Sequence, residues 1–488
     1  MKTAAAIGGI FAVAGWGVAA WLLVSKPLPS IVIASNSGAS GSVARIEPEK
    51  SVPAKEGEVD GVFREWSSDP ALAGALLGFC LLDENGALVF ASPLASTALC
   101  PASALKTVTT ATAFELLGPE FCFTTSLDSY SPIKNGVLAG DLYLGGDGDP
   151  TFSTADLEAL VDELVRGGLK QVSGKIIVST GSYFDGPVSE HWNWGDIGNA
   201  YGVGAFALNL DHNRLNLRFR PGAREGDRAT LLDTGVATKD TKWINEVKTA
   251  SPGSGDQVVV YSEPYGRTIR LQGTVPQGPE EFAVGGALPD PPARVEELLR
   301  ARLEAAKVKI LEQTQPLNQG RSVREELASH RSAPLPEIVD HLHKVSDNLE
   351  AQCLFHAIGR KQSTDPSWVI RRHWGDRGVE FKGLRMIDGN GLARADMIRP
   401  LDLAKVNHLV RRGPQGERFR QSLTAYLDGK VRAKLGAMSG VKTDVGFITM
   451  ADGREFTFCL MANGLNPQLD YWPLRNKLLQ QVAAGSGR

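Results

Sequence analysis

Pro101-Ala102-Ser103-Ala104-Leu105-Lys106 opens a stretch that runs to Gly118 and sets a hydroxyl and an amine three residues apart. Apolar residues at Leu105, Val108, Ala111, Ala113, Phe114 and Leu117 carry the period of a buried helix, with Pro101 near its start and Gly118 as its stop. Ser103 and Lys106 then share one helix face and lie within mutual reach. A serine nucleophile would have its base beside it, provided the lysine is neutral. The positive end of the helix dipole in the first turn works against the charged form, as would a second cation nearby. The bland alternative is an ordinary first-turn serine followed by a solvated lysine, because S-x-x-K alone arises by chance in 488 residues.

Two further stretches follow in order. Ser346-Asp347-Asn348 precedes a helical segment from Leu349 to Gly359. Asp347 or Asn348 can cap that helix, with Glu350 in its first turn. Catalytically, Ser346 would relay a proton while the Asn348 amide holds a substrate amide. Lys434-Leu435-Gly436 lies just before a hairpin made of Val445–Met450, the turn Ala451-Asp452-Gly453-Arg454, and Glu455–Met461, the counterpart of an earlier hairpin made of Leu76–Leu82 and Ala87–Ala91 around Asp83-Glu84-Asn85-Gly86. A nucleophile motif, then Ser-Asp-Asn, then a lysine-glycine strand near the C-terminus is the order found in serine β-lactamases and penicillin-binding proteins.

On these motifs the chain resembles the low-molecular-mass class C penicillin-binding proteins, the D-alanyl-D-alanine carboxypeptidase/endopeptidases of the S13 peptidase family. The resemblance runs from about Gly74 to Asn463. It is carried further by Gly145-Gly146-Asp147-Gly148-Asp149-Pro150, Trp192-Asn193-Trp194 with Tyr201-Gly202, Asn209 to Asn213, Ser332-Ala333-Pro334-Leu335 and Asp388-Gly389-Asn390-Gly391-Leu392. It implies an α/β fold: a penicillin-binding transpeptidase/β-lactamase-like domain, an antiparallel sheet flanked by helices, built from residues 62–125 and 325–485. β-rich inserted domains would fill 126–324.

The resemblance also implies a mechanism and its partners. Ser103, deprotonated by Lys106, would attack the carbonyl of a D-Ala-D-Ala peptide, and water would hydrolyse the acyl-enzyme. Ser346 would shuttle the proton, Asn348 would position the peptide, and Lys434 would supply positive charge beside Leu435 and Gly436. Peptidoglycan stem peptides are the implied substrate, β-lactams the covalent inhibitors, and no cofactor is needed.

Departures from the family pattern fall in the third motif. Leu435 and Ala437 stand where the family's Lys-Thr-Gly-Thr has threonines, so two hydroxyl donors to the substrate carboxylate are gone. A lost hydrogen bond to a charged group costs about 1.5–3 kcal/mol. The family's Asp-Gly-Ser-Gly-Leu-Ser has become Asp388-Gly389-Asn390-Gly391-Leu392-Ala393, and Gln352 replaces a usual glutamate. These changes keep open an alternative, a catalytically weakened protein that binds peptidoglycan or envelope partners. A β-lactamase would need fast deacylation, and no dedicated glutamate base can be placed.

The remaining sequence narrows the setting. Hydrophobic residues at 42% and charged residues at 22% are those of a folded globular protein, and 488 residues suggest two or three domains. A net charge of -3 gives no electrostatic footprint for nucleic acid. Five widely spaced cysteines form no C-x-x-C pair, and spacing alone fixes no disulfide, Cys100 with Cys122 included. His341 and His343, two apart on a helix, make a poor metal pair, and Asp147 with Asp149 lacks the later ligands of a calcium loop. Lys2 and the apolar run from Ala4 to Val24 read as an export signal or membrane anchor within residues 1–30, followed by a linker over 31–61. The expected location is the cell envelope, in the periplasm or on the outer side of the cytoplasmic membrane, anchored there if the run is uncleaved.

Overall fold

The computed structural model describes residues 58–179, 186–235, 237–313 and 323–485, so the apolar run at 4–24 lies outside the described residues. Among the described residues, no helix is long and apolar enough to cross a membrane. Both expected hairpins form and belong to one antiparallel sheet. Its strands are β1 (Leu76–Leu82), β2 (Leu88–Ala91), β3 (Thr424–Tyr426), β4 (Val431–Met438), β5 (Val441–Thr449) and β6 (Glu455–Asn463), in the order β3-β4-β5-β6-β1-β2. The turn between β1 and β2 closes because Asp83 accepts from the amides of Asn85 and Ala87, at 2.8 and 2.9 Å, and Gly86 takes a left-handed conformation.

β5 and β6 are buried along nearly their whole length, as strands covered on both faces must be. On one face lie α1 (Glu58–Ser67) and α6 (Trp472–Ala484), which bury Phe63, Trp66, Leu478 and Val482 against Phe79, Phe456 and Phe458. On the other lie α2 (Lys106–Leu116), α3 (Leu335–Val345), α4 (Asn348–Gln362) and α5 (Pro400–Arg412). α2 runs through the middle of this layer, with every residue from Lys106 to Phe114 buried. Its four threonines stay satisfied by bonding carbonyls: Thr107 to Ala104, Thr109 to Gly389, Thr110 to Lys106 and Thr112 to Val108.

The chain leaves this layer at Phe123 and returns at Ser332, where Ser332 N donates to Phe123 O at 3.0 Å and Phe123 N donates to Ser332 Oγ at 2.9 Å. Strand Thr124–Ser129 pairs with Glu325–Arg331 and with Leu142–Gly146. Between these points sit two further cores. One packs helices Thr154–Arg166 and Pro291–Ala305 against short strands, around Leu144, Leu160 and Leu299. The other is built from strands between Arg214 and Ala287, around Leu217, Phe219, Val260 and Leu271. The inserted material is thus all strand in its second core, whereas its first core holds helix Thr154–Arg166, which the β-rich reading did not include.

β4 meets the turn before α2 at Gly436. A Cβ there would stand 2.6 Å from Pro101 O and 2.9 Å from Ala104 N. Gly436→Ala therefore forces sheet and turn apart, and we expect it to cost about 1–3 kcal/mol in denaturant unfolding. An unchanged midpoint would mean that this junction is not close-packed.

Candidate active site

The nucleophile motif does not start as an α-helix. Ala102–Leu105 forms a 3₁₀ turn, and α2 begins at Lys106. Ala102, fully buried, sits at φ 47°, a left-handed conformation that a non-glycine residue adopts at a cost of about 1–3 kcal/mol. Gly391 accommodates it from behind, since a Cβ on Gly391 would lie 2.0 Å from Ala102 O.

Lys106 is wholly buried. Its Nζ lies 2.9 Å from Ser103 Oγ, 2.5 Å from Asn348 Oδ1 and 2.6 Å from the Asn390 carbonyl. Burial, and next the positive charge of Lys434, hold its pKa well below that of an ordinary lysine. The structure thus joins the first and second motifs through one amine.

Ser346 closes α3 in a left-handed conformation (φ 60°), which frees Asp347 to cap α4 by accepting from Glu350 N at 2.9 Å. The buried Asp347 carboxylate also receives Arg214 of the inserted region at 2.7 Å. Asn348 donates its Nδ2 to the Tyr201 carbonyl at 2.7 Å. Asp347 is the cap that the sequence offered, and Ser346 and Asn348 on either side of it line one cavity with Ser103.

Lys434 points from β4 to Ser346, with Nζ 2.8 Å from Ser346 Oγ and 2.9 Å from the Leu435 carbonyl. Burial pushes its pKa down to about 8, against the pull of the Asp444 carboxylate. β3 pairs only with Val431–Ala433, so among the described residues Lys434–Met438 has β5 on one side and no strand on the other. Leu435 is half-buried and meets Lys434 through its backbone, whereas Ala437 is exposed and lines the cleft.

A cavity of about 440 Å³ brings Ser103, Ser346, Asn348 and Ala437 to one wall system. Asp196, Tyr201 and Arg394 also line it, and the motif reading assigned these no role. Tyr201 and the Asp388 loop were marked only as points of resemblance. Asp388, fully buried, accepts from Trp192 Nε1 at 2.7 Å, Gly391 N at 2.6 Å and Ala393 N at 2.8 Å. That fixes the loop whose Asn390 carbonyl faces Lys106. Gln352 ties the same loop to α4 by accepting from Gly389 N at 2.9 Å. His341 and His343 point apart, one to Glu350 Oε1 and the other to Ser422 Oγ, each at 2.7 Å.

Comparison with known proteins agrees with this arrangement. Residues 62–480 match the model of the D-Ala-D-Ala carboxypeptidase 3 (S13) family. A D-alanyl-D-alanine carboxypeptidase of Actinomadura sp. (strain R39) is 28% identical over 91% of this chain and 86% of its own length. D-alanyl-D-alanine carboxypeptidase DacB of Haemophilus influenzae is 24% identical over 80% of this chain and 86% of its own. The crystal structure of penicillin binding protein 4 (dacB) from Haemophilus influenzae superposes with a TM-score of 0.73 at 21% identity, covering 86% of this chain and 98% of that one, and so shares the fold. With a family match that takes in the main sheet, the inserted cores and all three motifs, the chain belongs to the D-Ala-D-Ala carboxypeptidase 3 (S13) family.

Proposed function

We propose that this protein is a serine-type D-Ala-D-Ala carboxypeptidase/endopeptidase acting on peptidoglycan stem peptides through an acyl-enzyme on Ser103. The observation that carries the reading is the contact of the wholly buried Lys106, through Nζ, with Ser103 Oγ at 2.9 Å on the wall of the cavity. An amine whose charged form is disfavoured is a base. It takes the Ser103 proton as Oγ attacks the penultimate D-alanine carbonyl, and Ser346 passes that proton to the leaving D-alanine nitrogen. Water then hydrolyses the acyl-enzyme. Backbone amides beside the Ser103 turn stabilise the oxyanion.

The peptide lies along the uncovered half of β4 as an added strand, with its amide held by Asn348 and its terminal carboxylate near Lys434 and Gly436. Penicillins acylate the same serine. The location we assign is the cell envelope, outside the cytoplasmic membrane, with residues 4–24 as export signal or anchor. Leu435 and Ala437 favour a second reading, a slow or silent binder of peptidoglycan or envelope partners on the same scaffold.

A penicillin should leave a mass shift on the peptide containing Ser103, and Ser103→Ala should abolish it. An adduct that survives this change places the nucleophile elsewhere.

Lys434 carries its charge below about pH 8 and loses it above. kcat/KM on a D-Ala-D-Ala peptide should therefore fall as the pH rises through that value, because the carboxylate loses its counter-charge. A profile that keeps rising there would remove Lys434 from this role.

Leu435→Thr with Ala437→Thr should raise kcat/KM for D-alanine release, by about tenfold or more for each carboxylate hydrogen bond regained at about 1.5–3 kcal/mol. A large gain from a near-zero baseline marks the weakened binder, and a small gain on an active wild type marks a compensated enzyme. A fall would mean that Leu435 fits a different substrate end.

A further inference from the structure

Tyr261 and Arg270 lie directly opposite each other on neighbouring antiparallel strands, Val259–Tyr261 and Thr268–Gln272, in the all-strand inserted core. The second strand alternates: Ile269 and Leu271 are buried, while Thr268, Arg270 and Gln272 face outward. Trp194 lies over this outward face. Its ring sits 6.2 Å from that of Tyr261, with the planes 23° apart, yet 59% of the residue remains exposed. Large aromatic side chains left in water beside a cleft mark binding surfaces. These residues bound a groove of about 360 Å³, large enough for a small-molecule ring.

The polar side of the groove is pre-set. Glu246 receives Arg270 at 2.5 Å and Gln272 at 2.6 Å, so both heads are held in place. Arg270 keeps further N–H donors in a fixed fork. A flat ring face beside fixed donors suits a ligand that is apolar on its C–H faces and rich in acceptors at its rim. A pyranose ring has that form, and an acetamido group adds a carbonyl acceptor.

The groove also adjoins the catalytic cavity. Asn193 and Asp196 line the cavity, Trp194 lines the groove, and all three belong to one turn around helix Trp194–Ile197. Four residues of extended peptide span about 13–14 Å at about 3.3–3.6 Å each. A stem peptide of that length reacting at Ser103 sets its sugar outside the cavity, and the groove is a surface that the Asn193–Asp196 turn joins to the cavity wall.

We propose that the Trp194–Tyr261–Arg270 groove is a carbohydrate subsite that holds an N-acetylated pyranose of the glycan strand while the attached peptide occupies the Ser103 cavity. This rests on the peptidoglycan reading above. It makes the enzyme prefer polymeric substrate over free peptide.

The full-length protein should be titrated with a short β-1,4-linked N-acetylglucosamine oligomer that carries no peptide, following tryptophan fluorescence and chemical-shift change. Wild type should bind, and Trp194→Ala and Arg270→Ala should each weaken binding about tenfold or more. Turnover separates the two proposals. Arg270→Ala and Tyr261→Ala should lower kcat/KM on intact peptidoglycan about tenfold and leave that on a soluble D-Ala-D-Ala peptide unchanged. Absence of oligomer binding, or equal effects on polymer and peptide, would overturn the subsite. Binding of the free peptide in the groove instead of the sugar would overturn it too. A wild type inert on soluble peptide would count against the catalytic reading alone, because the oligomer titration is independent of turnover.

Discussion

Lys106 is wholly buried, and the three oxygens that it bonds belong to different parts of the chain. Ser103 comes from its own turn, Asn348 from the start of α4, and the Asn390 carbonyl from the loop after Met386. Each unit of pKa depression corresponds to about 1.4 kcal/mol of preference for the neutral amine, so the fold works to keep this group dry. That work requires the helix layer to be closed above it and β4 to press against the Ser103 turn. Gly436 and Gly391 are the two positions where the backbone comes close enough to do so. On the mechanism proposed above, a Lys106 that reached solvent would leave Ser103 an ordinary hydroxyl.

The two lysines of the cleft are a pair with divided roles. Lys434 is also buried, but Asp444 sits near it and partly offsets the desolvation, leaving its pKa at about 8; Lys106 is held well below an ordinary lysine by burial and then by the Lys434 charge. Asp444 in turn is pushed up to about 6 by burial and is held by Arg475 and Tyr426. In the proposed mechanism one amine serves as base and the other as cation, and the positive charge of Lys434 helps to lower the pKa of its neighbour. This is the usual route by which a protein splits two like groups into different tasks.

Much of this was readable from residue order alone. The apolar period from Leu105 to Leu117 placed Ser103 and Lys106 together, and both hairpins followed from their turn residues. The Ser-Asp-Asn and lysine-glycine stretches were found by their order, which no local property explains. What could not be read is whatever arrives by non-local approach through the backbone. The Asn390 and Tyr201 carbonyls carry no side-chain signature, and Trp192 reaches Asp388 from the inserted region. Helix Thr154–Arg166 has a local signature of its own: Ser153 and Asp156 form a capping box, and Leu157, Leu160, Val161 and Leu164 keep the helical period. The glycine- and aspartate-rich text on both sides hid it. The effect of Leu435 was not legible because a strand's two faces differ, and only the structure shows its contact with Lys434 to be through the backbone.

Cys80 on β1 lies opposite Cys459 on β6, so the strand made first in the main sheet pairs with the one made last. During synthesis from the N-terminus, β1 has β2 alone as a neighbour until nearly the whole chain has emerged. The inserted cores need only residues up to Arg331 to close, and local units fold ahead of distant pairings. The wall that carries Arg214, Tyr201 and Trp192 is therefore in place before the sheet that carries Lys434, and the late hairpin docks onto a surface already formed. On the mechanism proposed above, a chain assembled in this order has no activated serine until its final strands arrive.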